Sequence, residues 1–94
     1  MNGAKRMVWM IELDKKAVKQ LDKLGKPAQK QIRDFLANKI RRLSNPRRLG
    51  KPLSGTHKGL WSYRTGVYRV VCEIKDSTLV VIVVNVGHRK SVYS

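Results

Sequence analysis

The sequence predicts an α+β fold with the order β-α-α-β-β-β, an antiparallel sheet covered on one face by a helical hairpin. Three observations carry that prediction. An alternating stretch opens the chain, two amphipathic stretches separated by Gly25-Lys26-Pro27 follow it, and after Gly59 the apolar period changes from near 3.6 to two. With 94 residues the chain has room for one domain, 1–94, with a thin core.

Met1–Arg6 is short and polar and is expected to be flexible. Val8–Leu13 reads as the first strand, with Trp9, Ile11 and Leu13 on one side. Asp14 stands where a helix N-cap belongs. In the helix after it, Ala17, Val18, Leu21 and Leu24 form an apolar stripe, and Lys15, Lys16, Lys19 and Lys23 fall outside it. Gly25 closes this helix and Pro27 opens the next. The second helix is expected to run to about Leu43, burying Ile32, Phe35, Leu36, Ile40 and Leu43.

Ser44–Gly59 holds Pro46, Gly50, Pro52, Gly55 and Gly59 and reads as a loop with a short extended piece around Leu53. Three strands follow, Leu60–Arg64, Val67–Lys75 and Thr78–Gly87, joined by turns at Thr65–Gly66 and Asp76–Ser77. Such a series is an antiparallel meander. Leu79–Val86 is apolar on both faces, so it is expected to lie centrally. Tyr68, Val70, Cys72 and Ile74 should face the helices, and Arg69, Val71 and Glu73 the opposite, partly open face.

Charge is the strongest functional signal. There are 21 Lys and Arg against 6 Asp and Glu, a net +15. No acid occurs between Phe35 and Cys72, a stretch that carries Lys39, Arg41, Arg42, Arg47, Arg48, Lys51, Lys58, Arg64 and Arg69. An uninterrupted positive stretch of this kind favours a polyanion such as RNA, whose phosphates need only positive charge in the right places. Arg41, Arg42, Arg47, Arg48, Lys51, Lys58 and Arg64 are the candidate phosphate-binding, and hence RNA-binding, residues.

The composition excludes a two-domain enzyme, a collagen-like repeat and a disulfide scaffold. The one cysteine, Cys72, fits a reducing compartment. The apolar runs are too short for a signal-peptide core or for the ~20 residues of a membrane helix. A cytoplasmic protein without membrane contact is the expectation. No Walker loop, GxGxxG or metal-ligand spacing occurs, and the scattered carboxylates make no two-metal site. No cofactor and no metal is expected.

Arg69 rises from the middle of a strand on the open face. A charge there needs a partner, either Glu73 on the same face or a bound anion. Arg89 follows the last strand, His88 beside it is a candidate acid or base near neutral pH, and Tyr93 comes four residues later. Trp61 and Tyr63 read either as packing or as platforms for bases; Cys72 reads as core and His57 as surface. An enzyme without a metal or a carboxylate pair can still cleave RNA. The 2′-OH is a nucleophile within the substrate, and arginines can neutralise the charge that grows on the phosphorus centre.

The segment Tyr63-Arg64-Thr65-Gly66-Val67-Tyr68-Arg69-Val70-Val71, followed by Val86-Gly87-His88-Arg89-Lys90-Ser91-Val92-Tyr93, resembles the RelE group of the RelE/ParE toxin superfamily. The Lys23-Leu24-Gly25-Lys26-Pro27 pattern and the loop from Asn45-Pro46 resemble it too, so the likeness covers Met7–Tyr93. The resemblance implies the toxin of a bacterial toxin–antitoxin pair, an endoribonuclease that cuts messenger RNA at the ribosomal A site by metal-free 2′-OH attack.

By the same resemblance, Arg69 binds the scissile phosphate, Arg89 stabilises the transition state and Tyr93 orients the substrate base. The implied partners are a cognate antitoxin with an acidic, partly disordered segment, and the ribosome with its messenger RNA. A higher-order toxin–antitoxin complex that binds operator DNA through the antitoxin is also implied. Well-studied members carry two lysines on the strand before the Tyr-Arg strand, where this sequence has Leu60 and Ser62. Lys51, Lys58, Arg64 and His88 are therefore the open candidates for proton transfer. The sequence ends at Ser94, so no helix beyond Tyr93 is expected. Two other readings accompany the ribonuclease: a ParE-like inhibitor of DNA gyrase on the same fold, and a catalytically weakened RNA- or ribosome-binding module.

Overall fold

The computed structural model describes residues 8–89; Met1–Arg6 and Tyr93 lie outside the described residues. Strand β1 spans Met10–Leu13, two residues shorter than the alternation suggests. Asp14 caps helix α1 (Lys15–Lys23), its carboxylate accepting the Ala17 N–H at 2.8 Å. Gly25, at φ 89°, leads into helix α2 (Lys26–Phe35), with Pro27 in its first turn.

The backbone then widens into a π turn over Leu36–Ile40, where the Arg41 N–H reaches the Leu36 carbonyl at 2.9 Å. Leu36 and Ile40 both remain buried. The helical path ends near Ile40, short of the Leu43 expected from periodicity.

The Ser44–Gly59 segment is more ordered than a loop. A 3-10 turn covers Pro46–Leu49, with the Asn45 side chain accepting the Arg47 N–H at 3.1 Å. Strand β2 (Lys51–Pro52) follows, just before the extended piece expected at Leu53, and a second 3-10 turn covers Gly55–His57. The meander comprises β3 (Leu60–Thr65), β4 (Tyr68–Lys75) and β5 (Val80–His88). Gly66, at φ 61°, occupies the first position of the two-residue β3–β4 turn, where a positive φ matches the strand twist. The β4–β5 link is a 3-10 turn over Asp76–Thr78 ending at Leu79 in the left-handed region (φ 54°), so β5 begins two residues later than expected.

The sheet has five strands in the order β1-β5-β4-β3-β2. β5 lies in its interior, as its two apolar faces require. Three pairings are antiparallel, but β1 runs parallel to β5. The sheet is therefore mixed rather than wholly antiparallel, because the helical hairpin returns the chain before the three-strand meander begins.

Ala17 and Leu21 of α1 and Ile32 of α2, with Leu36 and Ile40, bury their side chains against Tyr63, Val70, Cys72, Val81, Val83 and Val86 of the sheet. Each fully buried aliphatic side chain here contributes about 1.5–3 kcal/mol. Val18, expected in the apolar stripe of α1, is 40 % exposed. Beyond Val83, β5 outruns β1. There the Gln20 amide from α1 takes the place of a neighbouring strand: its oxygen accepts the Val86 N–H at 2.8 Å and its nitrogen donates to the Asn85 oxygen at 2.8 Å.

Candidate nucleic-acid interface

The site begins with sheet alternation. Tyr63 lies against Phe35, and the cross-strand pairs Tyr63–Val70 and Trp61–Cys72 place these residues on the helix-bearing face. Ser62, Arg64 and Arg69 consequently share the other face, with Arg64 directly opposite Arg69. Like charges in opposed positions destabilise a strand pair.

A bulge brings a further arginine to this face. Val71 pairs with Asn85, yet Cys72 pairs with Val83, so Val84 is an extra residue in β5. It shifts the alternation by one. Val81 and Val83 face the helices before it, and Val86 does so after it. Gly87 is the cross-strand partner of Arg69 and therefore stands on the same face. Arg89 is two residues on, and its N–H reaches the Val67 carbonyl at 2.9 Å, which extends the ladder by one step. Alternation puts Arg89 on the Arg69 side.

These residues border a groove of about 290 Å³ lined by Leu49, Lys51, Pro52, Leu53, Ser62, Arg64 and Arg69. Its walls differ in character. The sheet side is cationic, and the Leu49–Leu53 side is mostly apolar with one ammonium, from Lys51. Lys51 is the cross-strand partner of Ser62, which sets it on the same face. Among the described residues, no Asp or Glu lines the groove. Glu73, the alternative partner for Arg69 on sequence grounds, has its carboxylate 3.3 Å from the Lys75 ammonium.

The apolar wall is held from behind. The Tyr63 hydroxyl donates to the Pro46 carbonyl at 2.9 Å in a buried setting. Gly50 packs so closely on the Tyr63 ring that an added Cβ would lie 3.0 Å from two ring carbons. Burial pushes the Tyr63 phenol well above its ordinary range, so it stays a donor. Arg47 ties the same segment to the β4–β5 turn, bonding both oxygens of Asp76 at 3.0 and 2.7 Å. Its guanidinium also lies 5.6 Å from the centre of the Trp61 ring. The hydrogen bond raises the Arg47 pKa and lowers that of Asp76.

The residues singled out in the sequence thus separate into groups. Arg64, Arg69 and Lys51 line the groove, and Arg89 follows the end of β5 and is not among the lining residues. His88 does not join them. Its ring packs against Tyr68 at 5.2 Å between centroids, on the helix-bearing side to which Val86 also belongs. Arg47 is a structural clamp rather than an open cation. Trp61 and Tyr63 pack as core and rim instead of offering stacking surfaces; Tyr63 is 1 % exposed. Cys72 is buried, and burial raises its thiol pKa.

Arg42, Arg48 and Lys58 are exposed. Arg41 borders a separate groove of about 470 Å³ between β1 and α2, lined also by Val8, Met10, Ile11 and Leu36. The sequence reading missed the apolar wall and the role of Tyr63 in holding it. The dense prolines and glycines of Pro46–Pro52 were the available signal. Among the described residues, no helix is long and apolar enough to cross a membrane.

Comparison with known proteins bears on the family and the fold. The family described as the ParE toxin of the type II toxin–antitoxin system parDE matches residues 11–93. Toxin RelG of Mycobacterium tuberculosis is 30% identical over 87 residues, covering 93% of this chain and 98% of that protein. Toxin RelE of the same organism is 45% identical over 51 residues, a segment covering 54% of this chain and about half (53%) of that relative. Among solved structures, a chain of the toxin–antitoxin complex RelBE2 from M. tuberculosis superposes with a TM-score of 0.82 at 29% identity, covering 90% of this chain and 95% of that one.

Proposed function

This chain belongs to the ParE toxin family of type II toxin–antitoxin systems, as a RelE-type toxin, and from that premise we propose that it is a ribosome-dependent endoribonuclease acting on messenger RNA. The observation that carries the reading is the cationic groove, where Arg64 and Arg69 oppose each other and the ladder aims Arg89 to the same face. A scissile phosphate lying there meets bidentate donors on its non-bridging oxygens. The adjacent 2′-OH attacks phosphorus, and the guanidinium groups offset the charge that accumulates in the transition state. Tyr93 orients the base beside the cut.

Much of the rate comes from holding the 2′-OH in line with the phosphate, and good alignment contributes about 7–11 kcal/mol. Ribosomal RNA supplies part of that restraint by binding Arg41, Arg42, Arg48 and Lys58, which are exposed outside the groove. The cognate antitoxin is a protein with an acidic, partly disordered segment, drawn to a chain of net +15. Support for such a partner comes from the RelBE2 relative, which was solved as a toxin–antitoxin complex.

The test is cleavage of a message on purified ribosomes by the parent chain and by Arg69→Ala, alongside the same message free in solution. Cleavage on ribosomes that depends on Arg69 supports the reading, and equal cutting of naked and translated message refutes the ribosomal requirement. A second reading follows from the family description, which names ParE: a protein-binding inhibitor of DNA gyrase on the same fold. Inhibition of gyrase supercoiling by both the parent and Arg69→Ala, with no cleavage by either, selects it.

A further inference from the structure

We infer that Gln20 is a positioning residue for Arg89. Its side-chain amide braces β5 beyond the end of β1 and so keeps the last residues of that strand, with Arg89, at the cationic face. The catalytic part of this assignment rests on the ribonuclease reading above.

Gln20 follows Ala17 by three residues and precedes Leu24 by four, so it shares the face of α1 that turns to the sheet. A polar side chain in an apolar stripe has to find its hydrogen bonds there. β5 supplies them at both ends of the amide, through the Val86 N–H and the Asn85 side-chain oxygen, each at 2.8 Å. Chain geometry brings the partners level. The Asp14 N–H still bonds the Val83 carbonyl at 3.0 Å, and its carboxylate starts the helix. From Asp14 to Gln20 the helix advances about 9 Å. From Val83 to Val86 the strand advances about 10 Å.

The braced segment has reason to be loose. β1 pairs with β5 only as far as Leu13 and Val83. Past that point the strand neighbour of β5 is β4, through Val70–Val86, Arg69–Gly87 and Tyr68–His88. The segment also follows the bulge directly and contains Gly87, and both features weaken a strand. Arg89 lies three residues beyond Val86, with its N–H on the Val67 carbonyl at 2.9 Å. Bonding Val86 from the helix side limits how far Arg89 can shift, and a misplacement of about 1 Å costs about 10²-fold in rate. Gln20 itself does not line the groove. Its effect on cleavage therefore passes through β5.

The experiment measures single-turnover cleavage on programmed ribosomes over a range of protein concentration, and amide hydrogen exchange of the free protein. The variants are Gln20→Met, Gln20→Glu, Arg89→Ala and the double variant Gln20→Met with Arg89→Ala. Methionine keeps the length and loses both hydrogen bonds, whereas glutamate keeps an oxygen for the Val86 N–H. Gln20→Met should lower the maximal rate about 10- to 10²-fold with the half-saturating concentration unchanged. Gln20→Glu should recover most of that loss. In the Arg89→Ala background Gln20→Met should cost nothing further, because the group it positions is already gone. The Val86 amide should exchange about tenfold faster in Gln20→Met, while Val81 and Val83 exchange as in the parent and show the fold intact.

The same fractional loss with and without Arg89 would overturn the assignment in favour of a general structural role. A change confined to the half-saturating concentration would overturn it in favour of a ribosome contact. Unchanged exchange at Val86 would show that the amide does not hold the strand. If the parent cuts no message on ribosomes, the ribonuclease reading falls and takes the catalytic role with it; faster exchange at Val86 in Gln20→Met would then place the fault in that reading and not in the hold of Gln20 on β5.

Discussion

Tyr63→Phe tests whether the groove's apolar wall is held by one buried bond. The substitution removes a single oxygen and leaves the ring, with its edge contact to Phe35 at 6.3 Å between centroids and its packing on Gly50. What disappears is the 2.9 Å hydrogen bond to the Pro46 carbonyl, between two buried residues. Losing a buried partner costs about 1–3 kcal/mol, the upper part of the range applying when water cannot enter to replace it.

For a domain of this size each kcal/mol lowers the melting temperature by about 4–8 °C, so a fall of about 4–24 °C is expected. Thermal and urea unfolding should agree, with the urea slope unchanged. Tyr63→Ala, which also empties the ring site, should cost about 3–5 kcal/mol. A melting temperature within about 1 °C of the parent would show that the bond contributes nothing. A loss as large as that of Tyr63→Ala would show that the ring does not keep its place without it. In either case the account of how Leu49–Leu53 is positioned would have to be abandoned.

Further expectations concern charge. Arg69→Ala should slow ribosomal cleavage about 10²–10³-fold, the equivalent of ~2.7–4 kcal/mol of transition-state stabilisation, while unfolding temperature changes little. Asp76 has its pKa lowered in the folded state by Arg47, so its stabilising effect is present above the unfolded carboxylate pKa of about 3.9 and is lost as pH falls through the folded value. The melting-temperature difference between parent and Asp76→Asn should accordingly be constant from neutral pH to about pH 5 and close below it; a difference that persists unchanged at pH 2 would remove the ion pair as its cause. Reversing Arg41, Arg42 and Arg48 to Glu, with Arg47 left to hold Asp76, should abolish sedimentation with ribosomes and leave the fold intact. Retained, salt-insensitive sedimentation would place the ribosome contact elsewhere.

Local pattern made the helices and the meander legible. The alternation through Tyr68–Ile74 assigned the faces of β4 correctly, and with them the position of Arg69. The parallel edge pairing left no local trace, since a strand with two side-chain faces reads the same whichever way its neighbour runs. Partnerships far apart in sequence were equally silent. Arg47 and Asp76 are 29 residues apart, and nothing near Arg47 distinguishes it from Arg41, Arg42 or Arg48. Tyr63 and Trp61 occupied alternating positions that fitted either packing or stacking; only the carbonyl of Pro46 and the guanidinium of Arg47 decided between them. Grouping His88 with Arg89 followed sequence adjacency, but neighbours along a strand point to opposite faces.

The extra residue in β5 makes parity a functional property of this strand. Counted from Val83, an even number of residues would deliver one set of side chains to the groove and an odd number the other. With Val84 present, Gly87 and Arg89 fall on the side of Arg69. Take one residue away and the two sets trade places: His88 would enter the groove and Arg89 would turn toward Tyr68. Deleting Val84 should therefore damage cleavage far more than trimming it to alanine, although the deletion removes no group that touches RNA. Two deletions in succession would restore the count at the expense of reach. The strand tolerates changes of side chain more readily than changes of length, because its length is what decides which of two adjacent residues meets the substrate.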